Sequence, residues 1–330
     1  MTINEIADLA GVSRATVSRY LNQGYVSEEK RERIRGVIEE TGYQPSSQAQ
    51  TLRTRKTKLI GVIIPKIDSH TISRMVGGIS TVLSREGYQL LLANTENNEQ
   101  EELKYLKLFR ENHVDGVILS ATIFTKKHIQ VLKDYQVPVV ILGQYLPGYS
   151  CVYQDDYRAA RELAAKMAKK CSCLCYVGVT LRDEAVGRGR QEGFFDGLRE
   201  AGRERDETLV AEGSFNVDSG IKAVADLLGR HPKMDGLLCA TDDIAVGAIL
   251  YLKEHGKRIP EDIMVAGFGD TELARIVEPN LTTVHFYYKT SGEEAARMLI
   301  GLLELGEESP VYREMKMGFK IVERGSTGRT

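Results

Sequence analysis

The 330-residue chain lacks the long apolar segments that would place it in a membrane. No hydrophobic run approaches the roughly 18 residues that a membrane-spanning helix needs. The N-terminal segment MTINEIADLAG carries acids where a secretory signal carries bases. With 42% hydrophobic and 27% charged residues, the chain has enough apolar side chains for an ordinary core. We therefore expect a globular protein of two or three domains, located in the cytoplasm.

Cysteine is scarce, and its distribution argues against a metal site. Three of the five cysteines lie in the segment CSCLC, as Cys171, Cys173 and Cys175. No histidine or second cysteine pair follows at a spacing typical of zinc sites. The alternation instead puts the three thiols on one face of a strand. We predict that they pack within a sheet, and that the protein uses no metal and no cofactor.

Net charge is also small, at −2, which argues against a surface that binds nucleic acid everywhere. The charge is unevenly distributed. Residues 1–58 hold ten Lys/Arg and seven Asp/Glu, whereas the rest of the chain holds 34 and 39. Within residues 46–58, Arg53, Arg55, Lys56 and Lys58 occur without any acid. This pattern is typical of contact with phosphates, and the alternative is a solvated linker.

Helical spacing of apolar residues up to Tyr43 predicts three short helices. Gly11 suits a tight turn between the first two, and Ser13 lies where an N-cap would begin the second. Pro45 ends the region of the third helix. The apolar positions are Ile3, Ile6, Ala7, Ala10, Val17, Leu21, Ile34, Val37 and Ile38.

From Leu59 onward, short apolar strands alternate with amphipathic helices, and the alternation restarts near residue 174. The strand segments are LIGVIIP, YQLLLAN, VDGVILS and VPVVILG, and then LCYVGV, DGLLCAT and IMVAGFG. Strands this apolar must be covered on both faces, which predicts two successive parallel, doubly wound α/β units. Ligands of such sheets bind beyond the carboxyl ends of the strands. The cleft between the two units is therefore the predicted pocket.

The second helix, beginning after Ser13, has an outer face suited to DNA. Val17 and Leu21 would face the first helix, which leaves the arginines and small residues exposed. Arginine donates two hydrogen bonds to guanine, Ala15 can contact a thymine methyl, and short hydroxyls reach phosphates or base edges. These features predict a helix-turn-helix. The alternative is a small helical bundle with solvated arginines.

Together, several segments make the chain resemble the lactose-repressor (LacI/GalR) family of bacterial transcription regulators. The segments are INEIADLAGVSRATVSRYLNQ, VSEEKRERIRGVIEETGYQP, AQTLRTRKTKLIGVIIP, GRQEGFFDGL, ATDDIAVGAI and VAGFGDTELARIVEPNLTTV. The resemblance implies an all-α helix-turn-helix domain at 1–45, a hinge at 46–58 and a periplasmic-binding-protein-like core at 59–330. The subdomains of that core would combine 59–160 with 290–320 and 161–289 with 321–330.

The same resemblance implies a function. It predicts a homodimer that binds near-palindromic operator DNA and represses carbohydrate-utilisation genes. A small sugar or sugar phosphate in the interdomain cleft would change its DNA affinity. The chain ends without the leucine heptads that make tetramers, so a dimer is expected.

The resemblance also assigns DNA contacts. Arg14 and Ala15 fall on the two positions that mostly set operator choice, and Leu52 falls on the hinge leucine that wedges into the central minor groove. By itself, Leu52 is also compatible with plain helix packing. Ser46 departs from the family's usual Asn. The predicted DNA-binding residues are Ser13, Arg14, Ala15, Thr16, Ser18, Arg19, Asn22, Leu52 and Arg53.

For the effector, the resemblance points to Arg190, Phe215, Thr241 and Asp242. A guanidinium and a carboxylate bind sugar hydroxyls, and an aromatic ring covers a sugar's apolar face. Each also has a simpler interpretation: Phe215 as core, Arg190 neutralising an acid, and Asp242 as a helix cap. The predicted effector-binding residues are Ser69, Arg190, Phe215, Thr241, Asp242 and Asp270.

Two departures from the family pattern affect which effector we expect the protein to bind. Gly269 stands where many relatives have the first of two aspartates, which leaves Asp270 alone. The run from Ser69 to Ile72 replaces an Asn-Pro-Phe-Phe-like segment and argues against a purine effector. The segment LTTVHFYYKTSGEEAARML resembles the sucrose-operon repressor branch and suggests sucrose, its phosphate or a related disaccharide. Arg182 and Arg188 are candidates for holding a phosphate, or are simply solvated.

Two other classes of protein fit less well. A transport-type sugar-binding protein needs a signal peptide and no DNA-binding domain. An enzyme would use Asp155 with Asp156, or Asp242 with Asp243, but adjacent side chains do not converge on one bond. The segment GRGRQEG also lacks the dinucleotide-binding spacing. We therefore predict that the protein is not an enzyme.

Overall fold

Contacts within the chain divide the computed structural model into two units, Met1–Lys58 and Leu59–Thr330. The structure describes residues 1–43, 56–305 and 311–328. Pro45, Leu52 and Arg53 lie outside the described residues, as does most of the expected hinge. Among the described residues, no helix has the length and hydrophobicity to cross a membrane.

The first unit is built of three helices, as predicted. They are α1 (Ile3–Leu9), α2 (Arg14–Leu21) and α3 (Glu28–Thr41). Gly11 has a positive φ of 62°, which glycine adopts without the strain of a side chain, and it makes the turn before α2. Ser13 is the N-cap of α2, accepting a hydrogen bond from the Thr16 amide at 3.2 Å. Ile6, Val17 and Ile34 are fully buried and form the centre of this small core.

The second unit contains two lobes, each with a six-stranded sheet. In the first lobe the strand order is β11-β5-β4-β3-β1-β2. Its strands are β1 (Leu59–Ile64), β2 (Gln89–Asn94), β3 (Gly116–Leu119), β4 (Val139–Leu142), β5 (Ser150–Gln154) and β11 (Glu314–Met317). Its helices are α4 (His70–Arg85), α5 (Glu99–Glu111), α6 (Lys126–Lys133) and α12 (Tyr288–Leu305). All its strand pairs are parallel.

The second lobe repeats this arrangement with the strand order β12-β10-β9-β8-β6-β7. Its strands are β6 (Leu174–Gly178), β7 (Val210–Glu212), β8 (Gly236–Cys239), β9 (Met264–Phe268), β10 (Thr282–Phe286) and β12 (Phe319–Val322). Its helices are α7 (Asp156–Ala168), α8 (Arg190–Glu200), α9 (Val217–Arg230), α10 (Asp242–Glu254) and α11 (Glu272–Ile276). β12 is antiparallel to β10, and the other pairs are parallel.

Three chain crossings join the lobes and set the limits of each lobe. The first crossing falls between β5 and α7, not at residue 160, which lies inside α7. The second falls between β10 and α12. The backbones of α12 and α4 approach closely where Gly78 meets Lys289 and Gly292 meets Met75. A Cβ at either glycine would meet a carbonyl oxygen at 2.0 Å. The third falls at Gly318, because β11 pairs in the first sheet and β12 in the second.

The three cysteines of the CSCLC segment pack in the second lobe, although not on one strand face as predicted. Cys175 is buried within β6, whereas Cys171 and Cys173 precede that strand. The Cys171 thiol donates to the Met167 carbonyl at 2.8 Å, because the chain is still turning out of α7 there. All five cysteines are free. Within the described part of the chain, no group of three or more His, Cys, Asp or Glu could hold a metal ion.

Candidate functional sites: the exposed face of α2 and the interlobe cavity

The exposed face of α2 carries the predicted base contacts. Arg14, Ala15 and Arg19 are exposed, whereas Val17 is fully buried on the opposite side. The N-cap lets the helix begin at Arg14, which places the arginine in its first turn. Such a helix can lie in a major groove with small residues and arginines toward the bases.

Some side-chain hydroxyls of this helix and its N-cap already form hydrogen bonds within the helix. Ser13 and Thr16 hydroxyls lie 2.9 Å apart and hydrogen-bond each other. Asn22 is the C-cap, and its amide donates to the Ser18 carbonyl. Ser18 is half-buried. Ser13, Thr16 and Asn22 therefore stabilise the ends of the helix, and Arg14, Ala15 and Arg19 present the freest surface.

Between the two lobes of the second unit lies a cavity of ≈ 300 Å³. It is lined from both lobes by residues that follow the carboxyl ends of strands, such as Pro65 after β1, Ser120 after β3 and Thr241 after β8. This is where parallel sheets place their ligands. The volume suits a small organic molecule.

A buried ion pair forms one wall of the cavity. Arg190 Nε donates to Asp156 Oδ1 at 2.7 Å, and its Nη2 lies 2.6 Å from the same oxygen. Nη1 donates to the Ala240 carbonyl. The guanidinium lies over the rings of Phe268 and Phe286, at 4.7 and 5.2 Å from their centroids. Burial raises the pKa of Asp156, and the arginine opposes that shift.

Asp183 is a second buried carboxylate on the cavity. Its Oδ1 accepts hydrogen bonds from the amides of Ala185 and Val186, at 3.0 and 2.9 Å, and from Gln144 of the first lobe at 3.4 Å. Those amides begin the π-helical segment Glu184–Gly189, which delivers Arg190 to the cavity. Burial raises the pKa of Asp183 to about 6, although the hydrogen bond from Val186 lowers it.

We expect Asp183 to make stability depend on pH. The pKa of the Asp183 carboxyl is 3.8 in an unfolded chain and about 6 in the folded protein. Between these two values the folded protein holds a proton that the unfolded chain has released. Stability should therefore fall as pH rises from about 4 to about 6, by up to about 3 kcal/mol. Asp183→Asn should remove this part of the pH profile, measured by urea unfolding at pH 4 and pH 7. The exposed Asp218→Asn provides the control, and parallel profiles for wild type and Asp183→Asn would contradict the assignment.

Four of the six predicted effector residues line the cavity: Ser69, Arg190, Phe215 and Thr241. Ser69 and Thr241 are the N-caps of α4 and α10, accepting from the amides of Ile72 and Ile244. Each hydroxyl can still donate a hydrogen bond. Phe215 is half-buried at the cavity edge, so it is not simply a core residue.

Asp242 and Asp270 lie elsewhere, which corrects their prediction as cavity residues. Asp242 is fully buried and accepts hydrogen bonds from the Thr271 amide at 2.8 Å and the Thr283 hydroxyl at 2.5 Å. It anchors α10 to the loop after β9 and to β10. The helix begins at Asp242 with Thr241 as its cap, so Asp242 does not cap it.

Asp270 is held by three cationic or potentially cationic side chains. Arg324 lies at 2.5 Å, His285 at 2.9 Å and Arg275 at 3.2 Å. Burial raises its pKa, but these hydrogen bonds outweigh burial and lower it to about 2. Its backbone carbonyl accepts from Arg74 of the first lobe at 2.8 Å. Asp270 thus stabilises the junction of the lobes.

Several polar residues of the cavity were not predicted from the sequence. Asp183 and Gln144 were not considered, and Asp156 and Asp243 were considered only as members of adjacent pairs. All four line the cavity. Their position just after a strand is a signal that the sequence contains, because parallel strands converge at that edge. Arg182 and Arg188 do not line the cavity and pair instead with Glu99 at 2.6 Å and Glu184 at 3.0 Å.

Comparison with known proteins assigns both units. The family described as "Bacterial regulatory proteins, lacI family" matches residues 2–46, and the "Periplasmic binding protein-like domain" matches residues 160–327. The sucrose operon repressor of Staphylococcus xylosus is 35% identical over 303 residues, which cover 92% of this chain and 93% of that protein. The chain belongs to the lacI family of bacterial regulatory proteins.

Solved structures of the lacI family show the same architecture. A transcriptional regulator CelR–cellobiose complex matches with a TM-score of 0.76 and 29% identity over 99% of both chains. The lac repressor dimer bound to operator and the anti-inducer ONPF matches with a TM-score of 0.89. At 23% identity over 99% of both chains, this second match shows the fold. The prediction of a helix-turn-helix joined to a two-lobed periplasmic-binding-protein-like core is therefore confirmed.

Membership of the lacI family also settles the broad activity. This chain is a DNA-binding transcription regulator and not an enzyme.

Proposed function

We propose that this lacI-family regulator represses carbohydrate-utilisation genes and responds to a small sugar in the interlobe cavity. The observation that carries the proposal is the occurrence, in one chain, of a capped helix with exposed arginines and a cavity lined by hydroxyls, amides and carboxylates. The names of its relatives support the sugar: a sucrose operon repressor and a regulator complexed with cellobiose. Because it binds DNA, we expect it to act in the bacterial cytoplasm.

The cavity has the chemistry that sugar binding requires. Sugars present hydroxyls that both donate and accept, and carboxylates and amides satisfy them in pairs. Asp183, Asp243, Gln144 and Gln154 supply such groups, and the Phe215 ring offers an apolar surface. Ser69, Arg190 and Thr241 complete the proposed contacts. Asp242 and Asp270 support the sugar site indirectly: Asp242 holds α10 in place, and Asp270 stabilises the junction of the lobes.

The proposed DNA-bound form is a homodimer on a near-palindromic operator. The lac repressor forms a dimer on its operator, and the recognition helices of such dimers read two half-sites. Arg14, Ala15 and Arg19 would contact bases, with Ser13, Thr16, Ser18 and Asn22 supporting the helix and its phosphate contacts. Leu52 and Arg53 stay predictions for the central minor groove, outside the described residues.

Contacts between the lobes offer a way for a bound sugar to change the affinity for operator DNA. Arg182 of the second lobe pairs with Glu99 of the first, and Gln144 of the first lobe reaches Asp183 of the second. A ligand that contacts both lobes stabilises one spacing between them, and so shifts the population that can bind operator.

The proposal is tested first at Arg14. Arg14→Ala should weaken binding to an operator, selected from random DNA with the wild-type protein, by about 1–3 kcal/mol, because a bidentate base contact is lost. Specificity should relax at one base pair in each half-site. Fluorescence anisotropy with a panel of single-base operator variants measures both effects.

The control for Arg14 is Arg35→Ala, which removes a charge on α3 that pairs with Glu32. This variant should alter binding to all sequences about equally. If Arg14→Ala lowers affinity for operator and for random DNA by the same factor, Arg14 contacts phosphate and does not read sequence.

A further inference from the structure

The charged groups of the cavity indicate what kind of sugar it accepts. Four carboxylates line it: Asp68, Asp156, Asp183 and Asp243. The Lys and Arg residues of the lining are Lys66 and Arg190, and His70 adds a charge only when it is protonated. Carboxylates therefore outnumber permanent cations by two.

Both permanent cations are already paired with carboxylates. Lys66 Nζ lies 3.3 Å from Asp68 Oδ1, and Arg190 makes its two short contacts with Asp156. A phosphate bound to either would have to compete with the carboxylate already there. Within the described residues, no Lys or Arg forms an ion pair with Asp183 or Asp243. An anion in this cavity would thus meet two carboxylates that no Lys or Arg holds in an ion pair, with Lys66 acting on Asp243 and Arg190 on Asp183 only at longer range.

The surroundings of the cavity do not reverse this balance. An adjoining pocket, sharing Lys66 and Phe215 with the cavity, is lined by four further acids: Glu96, Glu99, Glu102 and Glu212. Two of these acids have partners: Arg182 pairs with Glu99, and His128 lies 3.0 Å from Glu102. Repulsion between like charges is strong where water is excluded, so the acids of both pockets oppose a phosphorylated ligand.

Neutral hydroxyls, in contrast, can hydrogen-bond to Asp183 and Asp243, the two carboxylates without an ion-pair partner. The hydrogen bonds that the described residues donate to Asp183 all reach Oδ1, and Oδ2 keeps its acceptor sites. Asp243 is half-buried in the first turn of α10, beside the Thr241 hydroxyl that caps this helix. A carboxylate oxygen and a neighbouring hydroxyl can hold two adjacent sugar hydroxyls.

We propose that the effector carries no negative charge: the cavity selects an unphosphorylated sugar over its phosphate ester, with Asp183 and Asp243 binding its hydroxyls. This inference rests on the proposed function and narrows it, since the sequence left a sugar phosphate open. Electrostatic exclusion by Asp243 sets the specificity, and its hydrogen bonds supply part of the affinity.

The test uses the full-length protein and matched ligands: sucrose with sucrose 6-phosphate, and cellobiose with cellobiose 6-phosphate. Calorimetric titration gives affinity, and operator binding gives the regulatory response. At least one neutral sugar should bind and change operator affinity, with its phosphate at least about tenfold weaker. A phosphate ester that binds as tightly as its parent overturns the inference and leaves the proposed function intact. If none of the four changes operator affinity, the proposed sugar response fails, and the inference fails with it.

Two substitutions at Asp243 assign the effect to this residue. Asp243→Asn should weaken the neutral sugar about tenfold and reduce the discrimination against its phosphate. Asp243→Lys should reverse the preference, so that the phosphate binds better than the parent. Asp218→Asn is the matched control, because Asp218 is also the second residue of its helix, α9, but is exposed and outside the cavity lining. Unchanged discrimination in both Asp243 variants, with operator binding and melting temperature intact, would contradict the inference.

Discussion

Arg190→Met is expected to destabilise the two-lobed core by about 3–5 kcal/mol, because it leaves Asp156 buried without its partner. The ion pair is almost completely buried, and the guanidinium also lies over Phe268 and Phe286. Part of the cost should be relieved by protonation of Asp156, whose pKa burial already raises. Urea unfolding of the full chain, followed by far-ultraviolet circular dichroism, measures the loss. The variant should also lose its response to sugar.

Two comparisons separate the ion pair from the loss of an arginine in general. Arg199 lies on the same helix, is 75% exposed and pairs with Asp196 on the surface. The Arg199→Met substitution should therefore change the free energy of unfolding by less than about 1 kcal/mol. The double variant Asp156→Leu with Arg190→Met should regain most of the lost stability, because no unpaired charge is left. A double variant less stable than Arg190→Met would show that Asp156 does not carry the cost.

Val17→Asp is expected to unfold the helix-turn-helix unit and abolish operator binding while the core still binds its ligand. Val17 is fully buried between the three helices, and a carboxylate there finds no partner among the described residues of that core. The expected cost of about 3 kcal/mol or more is large for so small a unit, and it lowers operator affinity about 100-fold or more. Operator titration and the amide NMR spectrum measure the two effects.

Ala15→Asp is the matched comparison for Val17→Asp, two positions away on the exposed face of α2. It should weaken DNA binding by charge repulsion, yet leave the amide spectrum of the three helices intact. The sugar-induced rise in melting temperature should persist in both variants, because the core forms a separate unit of contacts. Loss of that rise in Val17→Asp would show that the two units depend on each other for folding.

Local chemistry made the helix-turn-helix predictable. The Ser13 cap, the Gly11 turn and the spacing of Ile6, Val17 and Ile34 each act within a few residues, and all appear in the structure. The alternation of apolar strands and amphipathic helices likewise predicted two parallel sheets. Helix periodicity and burial on both sheet faces leave such patterns in any sequence that folds this way.

The cavity was only partly predictable. Four predicted residues line it, but the predicted Asp242 is buried in a hydrogen-bond cluster while its neighbour Asp243 lines the cavity. Consecutive residues of a helix point about 100° apart, and the sequence does not say which of the two faces the ligand. Gly269 illustrates the same limit: its φ of 136° and its closeness to Asp242 explain a glycine there only once the fold is known.

The sequence by itself determined the family, the three N-terminal helices with the Ser13 cap of α2, the alternation of strands and helices, and the arginines exposed on α2. Only the tertiary structure decided that Arg190 pairs with Asp156 across 34 positions, that Gly318 separates strands of two different sheets, and that carboxylates outnumber permanent cations in the cavity. The first set follows from interactions between residues close in sequence. The second depends on which distant segments meet, and those contacts are chosen by the burial and pairing energy of the whole core.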